Sequence, residues 1–150
     1  MPELSFAQKI SWFFYQKGMG IAKPEYLFAT KTGDANWFKV TEALMKDNNL
    51  EGRNLVLDQL LQTKNLRPGP KRLPYLQVMG KFLTKGILDE RRRITKFMVD
   101  NPAVFQASDD AIMGPLITAQ RDSDTITATY AEEALLKIRG EVKINRQDYR

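Results

Sequence analysis

The 150-residue chain contains neither cysteine nor histidine, and this limits how it can fold. Disulfides are impossible, and structural zinc, haem and iron–sulfur clusters lose their usual ligands. The fold must therefore rest on apolar packing, and a chain of this length can bury roughly two thirds of its unfolded surface. The same absence removes the commonest nucleophiles and bases of enzymes. A structural or binding role is favoured over catalysis, with no cofactor and no metal.

The charge is unevenly distributed. Residues 1–100 hold 17 Lys and Arg against 10 Asp and Glu, whereas residues 101–150 hold 6 against 8. The first part favours anionic neighbours such as nucleic acid, anionic lipid or an acidic protein, although a basic surface without a specific partner fits equally well. No stretch approaches the ~20 apolar residues of a membrane span. No signal-peptide pattern is present, and a removed presequence stays open.

Apolar spacing predicts an all-α protein of five or six helices joined by irregular loops that contain proline and glycine. No internal repeat is evident in the sequence. Helices are predicted at 4–17, from about 34 or 36 to 46, at 50–64, at 75–99, at 108–119 and up to Gly140. The fifth is expected to be interrupted at Gly114 and Pro115. The last follows a capping-box pattern at Thr129 and Glu132.

The stretch 75–99 is predicted to be one long helix, because apolar residues recur at helical spacing at positions 76, 79, 83, 87, 94 and 98. Asn101 and Pro102 are expected to cap and restart the chain after it. Upstream, Arg67–Pro74 contains three prolines, which favours an extended linker. Its basic residues predict that it docks on a partner.

The strongest charge feature is the run Arg91-Arg92-Arg93, accompanied by Lys85 and Lys96. Such a run can contact the phosphates of RNA or of lipid headgroups. The alternative is a solvated helical face paired internally with neighbouring carboxylates at 89 and 90. Asp122 and Asp124 could bind a hard cation weakly.

The first predicted helix carries the aromatic cluster Trp12, Phe13, Phe14 and Tyr15. Each aromatic ring buries about 150–250 Å², and four adjacent rings point around most of a helix. One core cannot cover all four rings. We therefore expect this cluster to lie against a partner or a lipid interface.

The order of several short motifs is informative. An aromatic helix ends at Gly18, Glu42-Ala43-Leu44 follows in a helix, Leu50 and Arg53 open the next, and Pro74-Tyr75-Leu76 opens a long charged helix after a proline-containing linker. This order resembles the small matrix-side subunit of mitochondrial ubiquinol–cytochrome c reductase (complex III), known as subunit 7 or the ubiquinone-binding protein. The resemblance runs from Trp12 to Arg93. It implies a subunit-7-like helical region at 1–100, and 101–150 would be a C-terminal helical extension and tail.

The resemblance implies a non-catalytic accessory subunit, peripheral on the matrix side of the mitochondrial inner membrane, that supports assembly and stability of complex III. It implies contact with cytochrome b and the core subunits, contact with anionic lipid such as cardiolipin, and no specific nucleic acid. The expected interface residues are Trp12, Phe13, Phe14, Tyr15, Arg53, Arg67, Lys71, Arg72, Tyr75, Arg91, Arg92 and Arg93.

Other functions remain open at this point. One alternative is an accessory subunit of ATP synthase or complex I, and another is a basic helical protein associated with RNA or the ribosome. A weaker resemblance, to sulfotransferases, rests on Gly114-Pro115-Leu116-Ile117 and on Arg121, Ser123 and Thr125. Asp124 stands where that family's donor loop requires glycine, and its charge would repel the donor phosphate.

Overall fold

The computed structural model describes residues 37–63, 66 and 72–140. Within these residues the protein is entirely helical, which confirms the all-α prediction; the predicted helix at 4–17 lies outside them. The elements are α1 (Trp37–Lys46), α2 (Leu50–Leu60), α3 (Leu73–Lys85), α4 (Leu88–Asp100), a 3-10 helix (Pro102–Val104), α5 (Asp110–Ala119) and α6 (Thr125–Arg139).

The chain divides into two compact units, residues 1–62 and residues 63–150. The division expected at residue 100 was drawn from a family resemblance and stays a prediction; the second compact unit runs across that position. In the first unit α1 and α2 pack against each other and bury Leu44, Leu57 and Leu60. Asn49 caps α2, since its Oδ1 accepts from the Gly52 N–H at 2.9 Å.

The second unit consists of two helical hairpins, α3 with α4 and α5 with α6. Arg72, just before α3, pairs with Asp109, just before α5, so these two helices start at the same end of the unit. Near the start of α4, Arg91 pairs with Asp122. Near its end, the Val99 carbonyl accepts from Lys137 Nζ of α6 at 3.4 Å. The hairpins therefore lie side by side, with α3 parallel to α5 and α4 parallel to α6.

The predicted helix at 75–99 is wrong as a single helix, because α3 ends at Lys85 and α4 begins at Leu88. Gly86 and Ile87 are extended, with ψ of 162° and 169°. A new helix start forms there because Glu90 Oε1 accepts from the Ile87 N–H at 2.9 Å. Ile87, placed by its spacing on the buried stripe, is instead exposed.

Several other boundaries differ from the prediction. Helix α2 ends at Leu60 rather than 64, and α5 continues through Gly114 and Pro115 without interruption. Helix α6 begins at Thr125 with Asp124 as its cap, so the capping-box pattern at Thr129 lies inside the helix. The new turn expected at Asn101 and Pro102 is confirmed as the 3-10 helix, and the Val104 N–H donates to the Asn101 carbonyl at 3.2 Å. The Asn101 side chain turns the other way and donates to the Phe97 carbonyl of α4 at 3.0 Å.

The end of α6 agrees with the sequence. Gly140 takes the left-handed conformation, with φ of 79°, and its N–H bonds to the last turn of the helix. Glycine reaches this conformation without the steric cost that a Cβ would add. The predicted helix end at Gly140 is confirmed.

The three helix pairs, α1 with α2, α3 with α4 and α5 with α6, recur at a regular interval along the chain. Their first helices begin at Trp37, Leu73 and Asp110, which are 36 and 37 residues apart. Buried positions follow nearly the same interval, in the sets Val56, Ile94, Ala131 and Leu60, Met98, Leu135. The sequence shows no evident repeat, because matching positions are alike in being buried and apolar rather than in residue type.

Candidate interaction surface

Helices α3 and α5 meet at a close backbone contact. A Cβ atom at Gly80 would lie 2.7 Å from the Ala111 carbonyl oxygen and 3.3 Å from Pro115 Cγ. Because proline has no N–H, residue 115 cannot donate to that carbonyl as a helical residue normally would. The absence of a side chain at Gly80 allows α3 to approach α5 at this point.

Helices α4 and α6 are joined by two ion pairs with forked geometry. Arg91 donates through Nε and Nη2 to the two carboxylate oxygens of Asp122, at 2.7 and 3.2 Å. Arg92 donates in the same way to Asp124, with both distances 2.8 Å. Such paired bonds between a guanidinium and a carboxylate are short and directional. Arg91 also donates to the Gly86 carbonyl at 2.8 Å, which ties the α3–α4 connection to the same cluster.

Asp124 also organises the start of α6. Its Oδ2 accepts from the Thr127 N–H at 3.1 Å and from the Thr127 hydroxyl at 2.6 Å. Hydrogen bonds from Arg92 and then from Thr127 hold the pKa of Asp124 well below its usual range. This carboxylate is therefore charged throughout the neutral range and caps α6.

Asp122 is held in the charged form by a similar balance. Burial raises its pKa, but hydrogen bonds from Arg91 and from the Asp124 N–H outweigh that effect, and the pKa lies below its ordinary value. In the second ion pair, the hydrogen bond to Asp124 raises the pKa of Arg92. The two aspartates considered for cation binding are thus already partners of arginine. Among the described residues, no group of three or more possible metal ligands comes together.

The opposite end of the unit is held by Arg72. Its Nη1 lies 3.1 Å from Asp109 Oδ2, and its Nη2 donates to the Val104 carbonyl at 2.6 Å. Phe105, the residue after Val104, meets Phe97 of α4 edge to face, with ring centroids 6.2 Å apart. Within the chain, the charged group of Arg72 joins the start of α3 to the segment before α5, and its expected contact with a partner stays a prediction.

Four branched apolar side chains remain exposed at the end where α3 and α5 finish and α4 and α6 begin. We call this set the apolar end: Ile87, Leu88, Ile117 and Ile126, each 43–45% exposed. Arg91 bridges the connection at Gly86 to Asp122, which brings the connections α3–α4 and α5–α6 together. Two exposed cations, Lys85 and Arg121, lie on the same two connections.

The remaining predicted interface residues have different locations. Arg53 and Tyr75 are buried, and Arg93 lies part-exposed on α4. The aromatic cluster at 12–15, Arg67 and Lys71 fall outside the described residues, so the expectation that they contact a partner stays a prediction. The apolar end was missed, because its members lie at the ends of three helices that are well separated in the sequence.

No protein-family model, no curated protein and no solved structure matches this chain. Across the part of the chain that the structure describes, no helix combines the length and apolar character of a membrane span. The resemblance to a complex III subunit therefore rests on its sequence motifs alone.

Proposed function

We propose that this protein is a non-catalytic helical accessory subunit of a respiratory complex, with complex III on the matrix side of the mitochondrial inner membrane as the specific candidate. The short motifs from Trp12 to Tyr75 support the choice of complex. The second unit supports the structural role, because the ion pairs of Arg72, Arg91 and Arg92 join its helices to one another. The observation that carries the proposal is the order of these motifs along the sequence, and the apolar end adds an exposed surface suited to contact outside the chain.

The arginine run was the main reason to consider an RNA-associated protein. Arg91 and Arg92 are each paired with an aspartate of the α5–α6 connection, so two nitrogens of each guanidinium already donate to a carboxylate and its charge is balanced within the chain. This favours the accessory-subunit proposal over RNA binding for the second unit.

Co-migration of the native protein tests the proposal. A tagged full-length chain, solubilised from mitochondria in mild detergent and separated on a native gel, is expected to migrate with complex III. Depletion of the protein should lower the amount of assembled complex while leaving turnover per assembled complex unchanged, because an accessory subunit touches no redox centre. Migration with ATP synthase, with complex I or with ribosomes would contradict the assignment, and so would loss of turnover at constant assembly.

The linker offers a sharper variant. Lys71→Glu is expected to reduce co-migration with the complex, because it reverses a charge on the segment expected to dock. Arg72→Glu is unsuitable for this purpose since it would break the contact with Asp109 inside the unit. Lys96→Glu is a matched control, because Lys96 is exposed and pairs only locally with Asp100. Equal loss of co-migration in both variants would point to a general charge effect and contradict docking by the linker.

A further inference from the structure

The exposed apolar side chains of the second unit are unevenly placed. Among the residues of this unit that the structure describes, five large hydrophobic side chains remain exposed: four form the apolar end, and Leu73 lies at the other end of the unit. Isolated exposed apolar residues are normal on a protein surface. Four of the five, however, lie at the tips of two adjacent helical hairpins, at the same end of the unit, and are exposed to solvent.

The charges around the cluster favour an anionic partner. Asp122 and Asp124 lie on the same end, but Arg91 and Arg92 neutralise them through forked ion pairs. Lys85 and Arg121 remain exposed there, against the exposed carboxylate of Asp89. The apolar tips are therefore flanked by more accessible positive than negative charge.

We propose that the apolar end inserts into the headgroup region of an anionic phospholipid bilayer. Branched aliphatic side chains at hairpin tips enter the boundary between headgroups and acyl chains, and nearby cations contact lipid phosphates. A protein partner fits less well, because a stable protein interface uses about 20–30 residues on each side, whereas the apolar end has four apolar residues at the ends of three helices. The proposal deepens the function proposed above and rests on it for the identity of the membrane.

Vesicle flotation with the full-length chain tests this directly. The wild-type protein is expected to float with phosphatidylcholine vesicles that contain about 20 mol% cardiolipin and to bind neutral vesicles much more weakly. The variant Ile87→Gln, Leu88→Gln, Ile117→Gln, Ile126→Gln should lose about 10-fold or more in partitioning. Leu73→Gln, at the opposite end, is the control for a change of one exposed apolar residue and should bind as the wild type does.

A second pair of variants separates charge from apolar contact. Lys85→Gln with Arg121→Gln should weaken binding to anionic vesicles by about 10-fold at low salt and leave weak binding to neutral vesicles unchanged. Lys96→Gln with Arg139→Gln removes the same number of charges elsewhere and should have a smaller effect. Matching helical circular dichroism and urea midpoints confirm that each variant is folded.

Three results would overturn the inference: no binding of the wild-type chain to anionic vesicles, equal binding to neutral and anionic vesicles, or unchanged binding of the four-residue variant. Loss of co-migration with complex III in that variant, without any vesicle binding by the wild type, would assign the apolar end to a protein contact. Because the vesicles contain no respiratory complex, vesicle binding by a chain that never co-migrates with complex III would retain this inference and reject the proposed function.

Discussion

The two parallel helix pairs of the second unit are held together by different means. Helices α3 and α5 approach closely at Gly80, where backbone faces backbone, and the ion pair between Arg72 and Asp109 joins the starts of these two helices. Helices α4 and α6 are joined through Arg91 and Arg92, whose forks grip two aspartates at the start of α6. The contact at Gly80 depends on shape, and the contact made by Arg91 and Arg92 depends on charge.

This difference has physical consequences. A contact made by shape tolerates changes of pH and salt but not added volume, since protein interiors are close-packed. A contact made by part-exposed ion pairs tolerates changes of volume but depends on ionisation, and screening by water and salt limits its contribution to stability. Variants that change only volume or only charge can therefore separate the two contacts.

The largest effect is expected from Gly80→Val. The new side chain would meet the Ala111 carbonyl, a backbone atom that cannot rotate away, so we expect a loss of about 2 kcal/mol in the free energy of unfolding. Urea denaturation followed by circular dichroism measures this loss. Gly52→Ala is the control, because its Cβ would lie 2.7 Å from Leu44 Cδ2, the flexible end of a side chain. An equal loss of unfolding free energy in both variants would show that contact with a backbone atom does not determine the cost of adding a side chain at Gly80.

The sequence predicted the helical class, the helix at 37–46 and the end of α6, because each depends on local spacing or on one glycine. It failed at Gly86 and Ile87, because the helical spacing of apolar residues continues across the end of α3 and the start of α4. The break is made by the hydrogen bond from the Ile87 N–H to Glu90, which the apolar spacing does not reveal. One of the two sequence interpretations of the arginine run paired it with the carboxylates at 89 and 90, but the forked ion pairs of Arg91 and Arg92 are made elsewhere. The actual partners lie 31 and 32 residues along the chain, and no local pattern identifies such a pair.

A smaller loss is expected when both aspartates are neutralised. Asp122→Asn with Asp124→Asn keeps the shape of each side chain, and asparagine still caps a helix well, so the change isolates the two ion pairs. The thermal midpoint should fall by less than in Gly80→Val. Asp100→Asn, which removes the exposed pair with Lys96, should leave the midpoint unchanged. A midpoint unaffected by the double substitution would show that the arginine forks add nothing to the α4–α6 contact.

Acid should remove the same contribution from the wild-type protein. The pKa values of Asp122 and Asp124 are lower in the folded state than the ordinary value near ~3.9. Their stabilisation is therefore fully present above the unfolded pKa and is lost as pH falls through the folded pKa. The difference in unfolding free energy between the wild type and the double asparagine variant should be constant above about pH 5 and narrow below about pH 4. A difference that stays constant into strong acid would exclude ionisation as its cause.

The smallest effect is expected at Pro115, and it has the opposite sign. An alanine there supplies the N–H that can donate to the Ala111 carbonyl and removes a residue that disfavours helix interiors. Loss of the ring contact with α3 offsets part of this gain, leaving a net stabilisation of about 1 kcal/mol. Either the Ala111 carbonyl or the Pro115 ring could exclude a side chain from Gly80. If the carbonyl does so, Gly80→Val should lower the free energy of unfolding nearly as much in the Pro115→Ala background as in the wild type. A double-mutant cycle measures this. A cost that disappears in the alanine background would assign the close contact between α3 and α5 to the proline ring.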